Sequence, residues 1–169
     1  MLTDLKETCI QAWAQPGTFP APNTPEGTIG VGGRAFEFPD GYNLVFGSER
    51  YKIAEGIFNP HQALTGAPEG VSSLKDLIMQ SAKDTDVEIR QHILNNVVVT
   101  GAGSLLYGFN DRVGMEIAAA VPGPRNRLTA PGNSMERRYA SWLGGSILAS
   151  LGSFHQLWVS KKEYEEHGE

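Results

Sequence analysis

The hydrophobic pattern of the chain is clearest between residues 137 and 158, where apolar side chains recur at helical spacing. Leu143, Ile147 and Leu151 are four residues apart, and Leu148 lies beside them. This spacing predicts a helix with one apolar face. A second face carries only small residues: Gly145, Ala149 and Gly152. Apolar stripes usually pack in a core, so the simplest prediction is a buried helix, with a binding face as the alternative.

A first helix is predicted by the N-terminal segment MLTDLKETCIQAW. Its imperfect apolar face includes Leu2, Leu5 and Cys9, while Lys6 and Glu7 point to the other side. A threonine or an aspartate in its first turn can cap it. A charged helix face is usually solvated, so this pattern by itself assigns no function to the two charged residues.

Residues 14 to 35 have no apolar periodicity and are rich in proline and glycine. Proline removes a backbone donor and glycine widens the conformational choice, so both residues favour turns over regular structure. We predict an irregular, mobile loop across this range. No functional role is assigned to it.

Alternating apolar and polar residues predict a β-hairpin in the segment FEFPDGYNLVF. Phe36 and Phe38 alternate with polar neighbours on the first strand, and Tyr42, Leu44 and Phe46 do so on the second. The Pro-Asp-Gly sequence between them supplies the turn.

Three helices are predicted after the hairpin. The first runs from Tyr51 to Phe58 and is closed by an Asn-Pro pair. The other two begin at capping boxes, because Ser73 and Asp76, and likewise Thr85 and Glu88, have the required spacing of three residues. The charged residues on these helices are interpreted as solvated surface.

The segment VVVTGAGSLLYGFNDR, from Val97 to Arg112, has the most distinctive chemistry. A β-branched strand at 97–99 is followed by small residues that lead directly into a predicted helix. Such a unit presents backbone N–H groups to an anion, and Gly101 and Gly103 permit close approach of a ligand. The segment lacks the third glycine of a dinucleotide fingerprint and the Lys-Ser/Thr ending of a P-loop, so the motif alone is a weak phosphate signal.

The charge balance and the cysteine count narrow the functional classes. The chain has 14 basic and 19 acidic residues and a net charge of −5, which argues against a broad electrostatic grip on nucleic acid. The single cysteine excludes an internal disulfide. No apolar run reaches about 18 residues, so we predict no membrane segment and a soluble intracellular protein.

No catalytic residue and no metal site is predicted. The acidic residues in the turn and helix motifs are single, and Ser146 does not lie in a G-x-S-x-G elbow. The four histidines have no metal-ligand spacing and are interpreted as surface or core residues: His61, His92, His155 and His167.

The C-terminal segment WLGGSILASLGSFHQLWVSKKEYEEHG resembles the C-terminus of actin and actin-related proteins. In that family a tryptophan, a Gly-Gly pair, SILASL, a phenylalanine and a second tryptophan precede a Lys-x-Glu-Tyr helix. The segments ERRYASWLGG and HQLWVSKKEYEE are similar to those of the nuclear actin-related protein 4 type. The resemblance runs from Leu2 to Gly168, apart from residues 14 to 35.

This resemblance implies an α/β fold of the actin-like, ribonuclease-H-like class, of which residues 1–169 are the second half only. Helices are then expected around a mixed sheet that holds both the hairpin and the strand at 97–99. An actin-like protein has two halves around a nucleotide cleft. We therefore expect the chain to be part of a longer protein whose biological start is not necessarily Met1.

The resemblance also implies half of an ATP site. DLKETC is similar to actin's DIKEKLC, whose Lys-Glu pair contacts adenosine, and TGAGS is similar to the actin loop that holds nucleotide. The implied cofactor-binding residues are Lys6, Glu7, Gly101, Ala102, Gly103, Ser104 and Arg138. Ala102 replaces a glycine of the family pattern, Gly103 and Ser104 replace two threonines, Leu106 replaces a tyrosine near the adenine, and Arg138 replaces a lysine.

A partner groove is implied as well. In actin the matching positions line an apolar groove between two subdomains that receives amphipathic helices. In this sequence they are Ile147, Leu148, Leu151, Ser153 and Leu157. The catalytic aspartates and glutamine of actin-like ATPases belong to the other half of the fold.

Two functions of different class follow from the resemblance. The first is a non-catalytic nuclear subunit of chromatin-remodelling and histone-acetyltransferase complexes. It would pair with actin, bind a helicase-associated scaffold helix and reach chromatin through the complex. The alternative is part of an actin-like ATPase that hydrolyses ATP and assembles filaments. ERRYASW, HQLWV and KKEYEE favour the first.

Overall fold

Helices surround two short sheets in the computed structural model, which describes residues 1–16, 33–121 and 127–168. The helices are α1 (Leu2–Cys9), α2 (Glu49–Phe58), α3 (Pro60–Ala63), α4 (Leu74–Lys83), α5 (Val87–Leu94), α6 (Phe109–Ala120), α7 (Ser134–Arg138), α8 (Ala140–Ser150) and α9 (Lys161–His167). The strands are β1 (Arg34–Glu37), β2 (Asn43–Phe46), β3 (Val97–Val98) and β4 (Leu128–Thr129). Two 3-10 helices span Ala102–Leu105 and Gly152–Leu157.

The predicted hairpin is confirmed. β1 and β2 pair antiparallel, with Phe36 opposite Leu44. In the turn, Gly41 has a φ of 83°, a conformation that glycine adopts without strain. The Asp40 carboxylate accepts a hydrogen bond from the Tyr42 backbone at 3.0 Å, as expected of a turn aspartate.

The parallel pair β3–β4 forms a separate sheet. The prediction of one mixed sheet holding both the hairpin and Val97 is therefore wrong for the described part of the chain. Each sheet has only two strands there, and strand alternation indicates which face is apolar but not which strands share a sheet.

Helix α6 is the centre of the hydrophobic core. Val113 and Ile117 on this helix are buried, and they belong to one cluster with Ala54 and Phe58 of α2. The other buried members of the cluster are Ile10, Ala12, Ala82 and Leu94. The core thus joins the predicted helix Tyr51–Phe58, which begins at Glu49 in the structure, to the helix that follows the glycine-rich segment.

Arg112 of α6 forms a buried ionic cluster beside this core. Its guanidinium donates two hydrogen bonds to Glu55, at 2.8 and 2.6 Å, and one to Glu116 at 2.8 Å. It also donates to the Trp13 carbonyl at 2.9 Å and lies 4.7 Å from the centre of the Phe58 ring. Burial alone would lower the pKa of Arg112, but the hydrogen bonds and charges of the two carboxylates raise it, so the residue stays charged.

The segment that follows α1 is joined to the chain before α6 by a close backbone contact. The Ala12 N–H donates to the Tyr107 carbonyl at 2.9 Å, and Gly108 has a φ of 76°. A Cβ at Gly108 would lie 2.9 Å from the Ala12 carbonyl oxygen, which is too close. Glycine is therefore required there, and the contact fixes α1 relative to α6. The predicted first helix is shorter than expected, because it ends at Cys9.

One of the two predicted capping boxes is confirmed. The Ser73 hydroxyl accepts from the Asp76 backbone at 3.1 Å, and the Asp76 carboxylate accepts from the Ser73 backbone at 3.3 Å. The prediction for Thr85 is wrong, because Asp86 precedes α5 without a side-chain cap and the Thr85 hydroxyl donates to the Ala82 carbonyl. A threonine hydroxyl can bond back to the preceding turn as readily as forward to the next helix.

Ser73→Ala is expected to lower the free energy of unfolding by about 1 kcal/mol at neutral pH, because it removes the cap of α4. The Ser73 hydroxyl bond holds the pKa of Asp76 below its usual value. A depressed carboxyl pKa contributes stability above the ordinary value, and that contribution is lost as the pH falls through the folded pKa. The difference from wild type, measured by urea unfolding across pH, should therefore shrink below about pH 4. Ser81→Ala on the same helix is the matched control and should cost nothing; an equal loss there would contradict the assignment.

The helix predicted between residues 137 and 158 is divided into several elements and is exposed. The predicted helix from residue 137 to 158 consists of the end of α7, then α8, then the 3-10 helix Gly152–Leu157. No residue of α8 is buried against the rest of the described structure, so α8 does not belong to the core of this part of the protein. No described atom lies within 4 Å of a Cβ added at Gly145 or Gly152, so no described backbone packs against the small face.

The prediction of an irregular, mobile segment at residues 14 to 35 falls largely outside the described residues, since 17–32 are not described. Within the described part, Arg34 and Ala35 belong to β1 and are regular. The prediction is therefore wrong at its C-terminal edge.

Candidate functional site

The glycine turn, residues 101–104, follows β3 and is held at both ends. Gly101 has a φ of 90°, which a side chain would disfavour, and its N–H donates to the Arg137 carbonyl at 2.9 Å. The Ser104 hydroxyl donates back to the Gly101 carbonyl at 2.6 Å, and Ser104 is buried. Ala102 and Gly103 lie between them and are exposed. Among the described residues, no acceptor bonds to the N–H groups of Ala102 and Gly103.

The turn does not lead directly into a long helix, as the sequence pattern predicted. Residues 102–105 form a single 3-10 turn, and α6 begins only at Phe109 after the left-handed Gly108. The glycine turn therefore does not place an anion at the N-terminus of a long helix. Its available donors are the two exposed N–H groups of the turn itself.

Arg137 of α7 is bonded to the glycine turn through its side chain. Its Nε donates to the Ser104 hydroxyl at 2.7 Å, and its Nη2 donates to the Ser104 carbonyl and to the Asn110 side chain. Sequence reasoning assigned no role to Arg137 or Asn110. The sequence indicates this contact only through the Arg-Arg pair in ERRY, and the pair does not identify which arginine contacts the turn.

Arg138 points to a different element. Its Nη2 lies 3.2 Å from Glu7 Oε1, and both side chains are exposed. This pair brings α7 and α1 together beside the glycine turn. Lys6 is exposed on the same helix as Glu7, and within the described residues no hydrogen bond or ion pair joins it to the other predicted site residues.

An apolar cavity of about 520 Å³ lies behind the turn. Its lining includes Gly103 and Ser104 from the turn, Val97 from β3 and Phe109 from α6. The cavity therefore lies between the turn, β3 and α6, and neither Glu7 nor Arg138 lines it.

The predicted partner groove lies on an exposed apolar face formed by α8 and the 3-10 helix after it. Leu148 is 51% exposed and Leu151 is 49% exposed. Large apolar side chains rarely remain open in such number without a partner. The other large exposed apolar side chains of residues 140–158 are Trp142, Ile147, Leu157 and Trp158. A depression of about 520 Å³ lined by Met135, Glu136, Tyr139, Trp142 and Leu143 continues this face along α7.

The described residues contain neither a metal site nor a membrane-spanning helix. No group of three or more histidine, cysteine, aspartate or glutamate side chains is arranged to hold a metal ion. None of the described helices combines the length and the apolar character that crossing a bilayer demands.

Comparison with known proteins defines the class. The family model described as Actin matches residues 1–169, and the chain belongs to the actin family. The predicted actin-like fold is confirmed at this level.

The relatives are more specific. The chain is 48% identical over 178 residues to actin-related protein 4 of Emericella nidulans, covering 99% of this chain and 38% of that protein. It is 42% identical over 173 residues to actin-related protein 4 of Neurospora crassa, covering 99% of this chain and 37% of that protein. It is also 43% identical over 140 residues to the SWI/SNF and RSC complexes subunit arp42 of Schizosaccharomyces pombe, covering 80% and 33%. The chain thus spans little more than a third of the relatives it matches.

Proposed function

We propose that this chain is a C-terminal part, rather more than a third and not the expected half, of a non-catalytic actin-related subunit of nuclear chromatin-remodelling and histone-acetyltransferase complexes. The relatives named actin-related protein 4, and the one named as a SWI/SNF and RSC subunit, support this class. The observation that carries the proposal is the exposed apolar face of α8, since a subunit needs a surface for its partner.

The partner that fits this face is an amphipathic helix. Ile147 and Leu148 lie in α8, and Leu151 follows its last residue in extended conformation. All three side chains are exposed, and a helix laid along them would bury its own apolar face in return. We assign this role to a helicase-associated scaffold helix, with actin bound alongside. Ser153 and Leu157 extend the surface past the end of α8.

The glycine turn is proposed as half of an adenine-nucleotide site. The N–H groups of Ala102 and Gly103 are suited to phosphate oxygens. Glu7 and Arg138, which pair with each other at 3.2 Å, belong to the set through the family resemblance. Lys6 stays in this set as a prediction from the family resemblance. When bound, ATP would supply negative charge for these donors. The other half of the site is expected from the rest of the full-length protein.

Arg138→Gln in the full-length protein is expected to weaken MgATP binding about fivefold to tenfold, because one charged hydrogen-bond donor is lost. Equilibrium titration with a fluorescent ATP analogue measures this. Arg34→Gln, which removes an exposed arginine from β1, is the matched control. Unchanged affinity in Arg138→Gln would remove Arg138 from the site.

Sedimentation distinguishes the proposed subunit from the alternative, an actin-like ATPase that forms filaments. The full-length protein incubated with MgATP at concentrations at which actin polymerises should stay in the supernatant and release no phosphate above background. Pelleting together with steady phosphate release would favour the alternative.

A further inference from the structure

We infer that Arg137 is a positioning residue that fixes the glycine turn in the conformation the nucleotide half-site requires. The inference rests on the proposed nucleotide function and deepens it. The family resemblance assigned ligand contact to Arg138, whereas the hydrogen bonds to the turn come from Arg137.

One residue holds both ends of the turn. The Arg137 backbone carbonyl accepts from the Gly101 N–H, and its side chain donates to the hydroxyl and the carbonyl of Ser104. The same guanidinium reaches Asn110 in the first turn of α6. Arg137 therefore links the glycine turn, α6 and α7 through one planar group.

Arginine is required for this role by geometry. Its guanidinium carries several N–H donors at fixed angles, so two of its nitrogens can serve three acceptors together. A lysine ammonium is a point charge and would hold at most part of this set. Arg137 is half-buried, and a buried Ser104 carbonyl without a donor would be costly.

The arrangement also assigns a role to Ser104. Its hydroxyl donates to the Gly101 carbonyl within the turn and accepts from Arg137 of α7, so the hydroxyl proton is not available to a ligand. Ser104 thus closes the turn, and the donors left for a polyphosphate ligand are the N–H groups of Ala102 and Gly103. Their direction depends on the bonds that Arg137 makes.

The test uses the full-length protein with two readouts. The first is hydrogen exchange over residues 100–106 without nucleotide, and the second is MgATP affinity. Arg137→Lys and Ser104→Ala are expected to speed exchange of the Gly101 and Ser104 amides by about tenfold or more and to weaken MgATP binding by about tenfold. Ser104→Thr keeps the hydroxyl and should restore both values to near wild type. Arg34→Gln is the control for a lost surface arginine.

The outcomes separate the two claims. Unchanged exchange and unchanged affinity in Arg137→Lys and Ser104→Ala would overturn the positioning role. Failure of Ser104→Thr to rescue would overturn the part assigned to the hydroxyl. Absence of MgATP binding in the wild type would overturn the proposed nucleotide function, and the exchange data would then decide whether Arg137 holds the turn. A loss of affinity with unchanged exchange would also overturn the inference, because Arg137 would then act as a direct contact.

Discussion

Arg112→Met is expected to lower the free energy of unfolding by about 3–5 kcal/mol, because it leaves two buried carboxylates without their cation. Arg112 is 1% exposed and Glu55 6% exposed as side chains, and their closest atoms are 2.6 Å apart. Methionine can fill most of the arginine's volume beside Phe58, so the loss reports the charge and hydrogen bonds more than a cavity.

Urea unfolding of the full-length protein measures this loss. The control is Lys161→Met, which removes one partner of the exposed pair with Glu165 and should change stability by no more than about 0.5 kcal/mol. Those side chains are 88% and 63% exposed, and 3.6 Å separates the two charged atoms. A loss below about 1 kcal/mol in Arg112→Met would show that water reaches the two carboxylates and would contradict the buried ionic cluster.

The double variant Leu148→Asp and Leu151→Asp is expected to weaken binding of an amphipathic scaffold helix more than about a hundredfold. Each leucine-sized contact contributes roughly 1.5–3 kcal/mol when it is buried in a groove. An aspartate at either position would also place a charge against the apolar face of the helix. Fluorescence anisotropy with a labelled helix from a remodeller scaffold measures the dissociation constant.

The matched control for that variant is Val87→Asp. Val87 is 73% exposed and begins α5, where an acidic residue suits the helix N-terminus. It should leave both the fold and helix binding unchanged. Equal affinity of the wild type and the folded double variant would remove the partner role from α8.

Short-range features were predicted well from the sequence. The hairpin, the Ser73 cap and the strand at 97–98 each depend on residues within a few positions of one another, so their patterns contain most of the information. The Thr85 box failed for a local reason, because its hydroxyl had a competing acceptor in the preceding turn.

Long-range features were not predictable in the same way. The bond between Arg137 and Ser104 spans 33 positions, and the one between Arg112 and Glu55 spans 57. No periodicity marks which of two adjacent arginines faces the turn. The exposure of α8 could not be predicted from the sequence either, because an apolar stripe has the same spacing whether it packs in a core or binds a partner.

Affinity purification of the tagged full-length protein from nuclei, followed by mass spectrometry, tests the proposed role as a subunit of a chromatin complex. We expect actin and the scaffold or ATPase subunit of a chromatin-remodelling or histone-acetyltransferase complex to co-purify in stable amounts, and the folded Leu148→Asp and Leu151→Asp variant to lose the scaffold. Recovery of the wild-type protein without any such subunit, alone or as filaments, would contradict it.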